Sequence, residues 1–357
     1  MMGDGTTTAR DDMVAALLGV AMVAGVYLDG WAHLHLATVD SFFTPWHGLL
    51  YGAFALAAAW SVALVQLRGR PGTPWRSRIP RGYGWGLVGV AVFAIGGLLD
   101  MAWHLAFGVE TGLDALVSPT HLLLLVGGIL LLSSPVRSVL VADRPRHGAA
   151  VLALAASAAL AGFFLSYVSA FVEPGARAPF VPVPEGAPGH RAAELEAAVG
   201  LGGYLIANAL ITAPILFLRR RGLLRRGAIV ATVATVAVGG AVLTQGAYAL
   251  AALGAIAGAA LCETVRPRLG SAALAATVPA LVWSGQLVGL AAQGDLRWPP
   301  TLAVGAVVLT SLWGWSLAWL TRPGLPAMAR VPESPPAPAP APPAVLRLVR
   351  RGPARGH

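Results

Sequence analysis

Apolar segments long enough to cross a lipid bilayer follow one another along almost the whole sequence. A hydrocarbon core about 30 Å thick requires roughly 20 apolar residues per helix. Only 11% of the residues are charged, against about 25% in soluble domains. The sequence therefore predicts an all-α integral membrane protein, a polytopic helical bundle of about ten transmembrane helices. These segments lie at about residues 13–36, 45–67, 83–107, 119–141, 148–171, 196–218, 227–244, 247–265, 270–292 and 299–321.

The stretch between Arg226 and Arg266 is the hardest to divide into spans. Its 39 residues are almost unbroken apolar sequence, which is too long for one helix across a bilayer and short for two. We expect a hairpin near Thr244 to Ala247 that splits the stretch into two short spans.

The basic residues mark one side of the predicted membrane protein. The chain contains no lysine, and its 25 arginines against 16 acids give a net charge of +9. Their scatter in short blocks between apolar segments excludes a nucleic-acid-binding surface. Arg-rich loops stay in the cytoplasm, so we expect a multi-pass protein of the cell membrane with both termini cytoplasmic. The blocks are residues 68–81, 137–146, 219–226 and 266–268, and the tail from Arg322.

The C-terminal residues 323–357 differ in composition from the rest of the chain. Residues 331–346 are rich in Pro and Ala, and a short basic segment follows them. Such a sequence cannot bury a core. We predict a disordered cytoplasmic tail attracted to anionic lipid headgroups, with docking to a partner protein as the alternative.

Two groups of Asp and His recur in the first four apolar segments. In each group an Asp and a His lie four residues apart near the end of one segment, and a Pro-x-His opens the next. The groups are Asp29, His33 and His47, and Asp100, His104 and His121. Asp100 and His104 each follow their counterparts Asp29 and His33 by 71 residues, and His121 follows His47 by 74 residues. This register predicts an internal repeat of two helix hairpins.

The spacing within each group places its side chains together. Residues at i and i+4 share one helix face, and the Pro-x-His points a second imidazole across the hairpin. A lone His at a membrane interface usually contacts headgroups. An acid inside the membrane is a functional candidate by default, and the whole group occurs twice. We therefore expect a metal site in each hairpin, near the extracytoplasmic face.

The type of metal is left open by the spacing. The single Cys262 excludes CxxC sites, so the ligands must be His and carboxylates. Two His and one carboxylate suit Cu(II), Zn(II) or non-haem Fe(II), and three protein ligands leave coordination positions open. Asp40, Glu110 and Asp114 lie in the adjoining loops, either as hydrogen-bond partners of the ligand imidazoles or as solvated acids. His35 faces away from His33.

At these residues the chain resembles the C subunit of the copper membrane monooxygenases, the family of particulate methane monooxygenase and ammonia monooxygenase. The first family motif, Asp-x-x-x-His followed by an Asp-rich turn and Phe-Thr-Pro-x-His, is matched by Asp29, His33, Asp40 and residues 43–47. The second, Asn-x-x-x-His followed by a Glu-bearing loop and Pro-x-His, is matched by Asp100, His104, Glu110 and residues 119–121, with Asp in place of Asn.

The resemblance implies that both groups bind copper and that O₂ activation there oxidises a small apolar substrate or ammonia. It spans residues 13 to about 141, so we expect a C-subunit-like four-helix unit at 1–147, a six-helix transmembrane extension at 148–322 and the tail at 323–357. A monooxygenase of this family also needs A-like and B-like subunits, which would be partners on other chains. A homo-oligomer is the other expected assembly.

The competing hypothesis is a membrane protein that binds or transports copper or zinc without redox chemistry. A transporter should carry polar or ionisable residues through the membrane, whereas the Asp and His of this chain gather at one end of the spans. This favours a fixed site. A third metal site at His190 and Glu194, four residues apart in an acidic loop, is a weaker hypothesis than a solvated helix start.

Overall fold

The computed structural model describes residues 5–36, 42–69, 72–108, 112–142 and 147–322. Within these ranges the chain is helical and contains no β-strand, which confirms the predicted all-α class. The α-helices are, in chain order, α1 (Ala9–His35), α2 (Pro45–Arg68), α3 (Trp75–Arg78), α4 (Gly84–Phe107), α5 (Leu113–Val117), α6 (Pro119–Leu132), α7 (Ser134–Val141), α8 (His147–Phe164), α9 (His190–Arg220), α10 (Ala228–Leu243), α11 (Ala249–Val265), α12 (Ser271–Ala292) and α13 (Pro300–Leu320).

Nine helical segments of the described chain are at least 18 residues long and apolar enough to cross a membrane. The pair α6 and α7 counts as one segment, Pro119–Val141, and a 3-10 turn extends α11 to Arg268. Helix α10 falls short, because its 16 residues rise only about 24 Å. The ten predicted spans therefore correspond to nine full-length spans and one short helix, and the chain is a multi-pass membrane protein.

The expected hairpin in the long apolar stretch is present between α10 and α11. Gln245 and Gly246 have φ angles of 53° and 77°, in the left-handed region that ends helices. The Gly246 N–H donates to the Ala241 carbonyl at 2.8 Å. The apolar run is thus divided at a turn that contains the polar side chain of Gln245.

Helices α1 and α2 form one antiparallel hairpin, and α4 with α6 forms another. The start of α1 meets the end of α2, where Arg68 donates to both carboxylate oxygens of Asp11 at 2.7 and 3.0 Å. Asp12 is fully buried beside it and accepts from Tyr83, immediately before α4, at 2.9 Å. Asp12 and Tyr83 are 71 residues apart, so they occupy equivalent positions of the predicted repeat. The two hairpins therefore start at the same end of the bundle.

The later helices pack directly on these hairpins. The Tyr27 hydroxyl of α1 donates to the Ala159 carbonyl of α8 at 2.9 Å, and α10 packs against both α1 and α8. Residues Met1–Leu320 form one compact unit. The boundary at residue 147 between a four-helix unit and an extension stays a prediction, and the predicted tail at 323–357 lies outside the described residues.

Helices α11 and α12 approach each other through glycine. Each carries two glycines four residues apart, and a Cβ atom on any of the four would come closer than 3.0 Å to a carbonyl of the facing helix. Small residues allow such close backbone contact between membrane helices. The four are Gly254, Gly258, Gly285 and Gly289.

Candidate metal centre

The six predicted ligands come together as two groups, each built from one hairpin. In the first, which we name the Asp29 group, Asp29 and His33 lie near the end of α1 and His47 lies in the first turn of α2. The Nε2 atoms of His33 and His47 are 3.8 and 3.5 Å from Asp29 Oδ2. The two histidine rings meet edge to face at 5.4 Å.

The second set, the Asp100 group, repeats this arrangement on α4 and α6. His104 Nε2 is 3.6 Å from Asp100 Oδ2, and His121 Nε2 is 3.4 Å from Oδ1. Asp100 is 1% exposed. The Nδ1 atom of His104 lies 3.3 Å from the Gly108 carbonyl at the end of α4, which leaves Nε2 directed at the carboxylate.

The N-terminal caps of α2 and α6 orient the remaining imidazole of each group. Thr44 and Ser118 are followed by Pro, and their hydroxyls accept from the backbone N–H of His47 and His121. The same hydroxyls lie 3.2 and 2.8 Å from the Nδ1 atoms of these rings. Histidines that bind metals commonly use the other ring nitrogen for an outer hydrogen bond of this kind. The short sequence Thr/Ser-Pro-x-His therefore both caps the helix and orients the imidazole ring of its histidine.

The nitrogen-to-oxygen distances within the groups suit ligands of a shared ion better than hydrogen bonds. They range from 3.4 to 3.8 Å, beyond the 2.7–3.2 Å of ordinary N–H···O bonds. Two ligands of a tetrahedral ion with bonds of about 2.0–2.1 Å lie about 3.4 Å apart. All potential ligand atoms of each group fall within 4.8 Å of one another.

The two carboxylates differ in their surroundings. Thr120 donates to Asp100 Oδ1 at 3.0 Å. The corresponding position of α2 holds Trp46, which has no hydroxyl, and Asp29 Oδ1 is shielded from solvent without a hydrogen-bond partner in the described part of the chain. Leaving a buried acceptor unsatisfied costs about 1–3 kcal/mol, and more when it is charged. A cation between Asp29 and its imidazoles would remove this cost, so the residues present fit a metal ion.

Both groups line a single cavity of about 650 Å³. The Phe42 ring stacks on His47 at 4.9 Å and reaches His104 at 6.5 Å, so it lies between the groups. The chain beyond residue 148 supplies part of the remaining wall, although it carries none of the six ligands. Its cavity-lining residues include Leu160, Phe163 and Phe164 of α8, Leu243 of α10, and Thr244 and Tyr248 between α10 and α11.

Two other residues singled out in the sequence, His35 and Asp114, belong to neither group. His35 is exposed, and its Nδ1 atom bonds to the Trp31 carbonyl at 2.9 Å. Asp114 is exposed on α5, and Asp40 and Glu110 lie outside the described residues.

The weaker candidate at the start of α9 forms no metal-binding group within the described ranges. His190 Nδ1 contacts the Val183 carbonyl at 2.7 Å, and Glu194 is exposed.

Sequence reasoning missed two side chains of the centre, Phe42 and Tyr51. Tyr51 lies one turn after His47 on α2, with the two ring centroids 6.1 Å apart. The i, i+4 spacing that paired Asp29 with His33 would also have placed Tyr51 beside His47. Phe42 precedes the cap of α2 and offers no such periodic signal.

No family model, curated protein or solved structure matches this chain.

Proposed function

We propose that the chain is an integral membrane metalloprotein that binds two copper ions, one in the Asp29 group and one in the Asp100 group. The observation that carries the proposal is the ligand geometry: two carboxylates, each facing two imidazole Nε2 atoms at 3.4–3.8 Å. Asp29 Oδ1, which has no hydrogen-bond partner among the described residues, supports it independently, because a buried carboxylate is costly without a compensating positive charge.

Copper is the preferred ion on chemical grounds. Sites of nitrogen and oxygen ligands bind Cu(II) more tightly than the other divalent first-row metals, and imidazole suits copper well. The resemblance to the C subunit of the copper membrane monooxygenases, carried by the same six residues, leads to the same ion. Zinc and iron remain the competing occupants.

The surroundings favour a reactive site over a closed structural one. Each group supplies three protein ligands, which leaves coordination positions for a further ligand, and both groups line the same cavity. Buried apolar side chains, among them Leu50, Leu124 and Leu160, form part of its wall, and a dry wall strengthens electrostatic interactions inside. Oxidation of a small apolar substrate or ammonia, as in the resembling family, would require A-like and B-like subunits as partners.

A fixed site is better supported than a transport path. Between the two groups and Asp12 at the other end of the hairpins, the interior is filled by Met22, Phe54 and Phe93, all buried. Such packing offers no ligands to a moving cation. The groups lie at the end of the bundle opposite Arg68, and the positive-inside rule, under which Arg-rich loops stay in the cytoplasm, supports a location near the extracytoplasmic face.

Metal analysis of the purified protein tests the proposal. We expect two copper ions per chain in the wild type and one in each of the variants His33→Ala and His104→Ala. His35→Ala is the matched control, because that imidazole is two residues from His33 but outside the group, and it should keep two. A wild type without copper, or His33 and His104 variants that both keep two ions, would contradict the proposal. Zinc at full occupancy with no copper would support the non-redox alternative.

A further inference from the structure

The Tyr51 hydroxyl is a buried polar group without a hydrogen-bond partner among the described residues. Its ring lies beside His47 and also contacts Phe42 at 5.7 Å. Tyr51 lines the cavity together with both metal-binding groups. A buried Tyr O–H usually finds a partner, so the lack of one here points to a ligand of the cavity.

The hydroxyl extends from the first hairpin towards the second. A Cβ atom on Gly97 of α4 would lie 3.1 Å from the Tyr51 hydroxyl oxygen, so only glycine leaves room for the ring at this point. Gly97 is one turn before Asp100 on the same helix. The hydroxyl of Tyr51 is therefore located between the helix that carries His47 and the helix that carries Asp100.

The repeat is broken at this position. Tyr51 follows His47 by four residues, and the residue four after His121 is Leu125. A tyrosine needed only for packing could be replaced by leucine in the first hairpin as well. One tyrosine, contributed by one hairpin, thus lines a cavity shared by two otherwise similar sites.

Charge indicates what kind of ligand the hydroxyl would meet. A Cu(II) ion bound by two neutral imidazoles and one carboxylate keeps one net positive charge, and each of the two groups has this composition. In a low-dielectric cavity an anionic counter-ligand strongly stabilises such positive charges. A hydrogen bond to a charged acceptor is stronger than one to a neutral group.

We propose that Tyr51 is a positioning residue that donates its hydroxyl proton in a hydrogen bond to a small anion, such as hydroxide, bound at the open metal positions of this cavity. This inference rests on the proposed copper function. It concerns what binds to the metals and leaves the six ligands as described.

Azide titration of the copper-loaded protein tests this role, followed by the absorption band of the copper–azide complex. Tyr51→Phe removes only the hydroxyl, and Tyr51→Leu installs the residue of the second repeat. We expect both variants to keep two copper ions and to bind azide about five- to tenfold more weakly than the wild type, as for the loss of one hydrogen bond. Tyr167→Phe is the control, because Tyr167 lines the same cavity from the turn Ser166–Val168, and it should bind azide like the wild type.

The outcomes of this experiment test the role of Tyr51 separately from the proposed binding of two copper ions. Unchanged azide affinity in the Tyr51 variants with two copper ions present would overturn the role of Tyr51 and leave the copper sites standing. Equal weakening in Tyr167→Phe, or loss of copper from Tyr51→Phe, would also overturn it, since the hydroxyl would then have no specific effect on the anion. A wild type without copper would overturn both proposals.

Discussion

Replacing Ser118 with Ala should weaken copper binding in the Asp100 group more than it weakens the fold. Ser118 Oγ lies 2.8 Å from His121 Nδ1 and 3.4 Å from the His121 backbone nitrogen. The second bond is long, so the loss of the cap should cost near the lower end of the usual range of about 0.5–2 kcal/mol. Loss of an outer hydrogen bond to a ligand imidazole typically lowers metal affinity 10- to 100-fold, or about 1.4–2.8 kcal/mol.

The measurement is best made on a chain with a single site. In a His33→Ala background the remaining copper belongs to the Asp100 group, and its affinity can be obtained by titration against a competing chelator. Thr44→Val in the same background is the matched control, because it removes the equivalent hydroxyl, 3.2 Å from His47 Nδ1, at the disabled site. Its copper affinity should stay unchanged.

Two results would refute this reasoning. If Ser118→Ala lowered the thermal stability of the metal-free protein but left copper affinity within twofold, Ser118 would be a helix cap without influence on the metal. If Thr44→Val lowered the affinity as much as Ser118→Ala, the effect would be a general loosening of the hairpins.

Two further predictions concern the fold, and thermal unfolding of the metal-free protein in detergent checks both. Gly285→Leu should destabilise the protein by about 1–3 kcal/mol, because the new Cβ would overlap a carbonyl of α11. Gly305→Ala, in open space on α13, is the control and should be neutral or slightly stabilising. Equal melting temperatures of the two variants would argue against tight packing of α11 on α12. Arg68→Gln should lower the free energy of unfolding by about 1–3 kcal/mol, because it removes both hydrogen bonds to Asp11, which is 4% exposed. Arg76→Gln, at an exposed position, is the control. An equal loss of stability in the two variants would show that the ion pair of Arg68 and Asp11 contributes little.

The sequence predicted most of the helices because bilayer thickness requires about 20 consecutive apolar residues in each span. The hairpin expected near Thr244 to Ala247 is formed by Gln245 and Gly246, where α10 ends after 16 residues. Within this otherwise apolar stretch the polar Thr244 and Gln245, followed by Gly246, mark the turn. Length requires a division there as well, because the stretch is too long for one span.

The ligand groups were predictable because their members lie close along the chain. Asp29 and His33 are one turn apart, and His47 opens the next helix, so local geometry suffices to bring them together. The surroundings of the groups depend on how the hairpins pack on one another and on the later helices. The placement of Tyr51 against Gly97 and the contribution of Leu160 to the cavity wall are of this kind.

The hydrogen bond between Tyr83 and Asp12 bears on how a repeated chain can evolve. Because these residues occupy equivalent positions 71 residues apart, two identical hairpins associating as a symmetric pair would place Asp against Asp, or Tyr against Tyr, across their axis. Joining the hairpins in one polypeptide removes that constraint and allows each copy to mutate alone. The difference between Trp46 and Thr120, at equivalent positions of the two hairpins, became accessible in the same way, so duplication followed by fusion gives one protein two Asp and His groups with different surroundings.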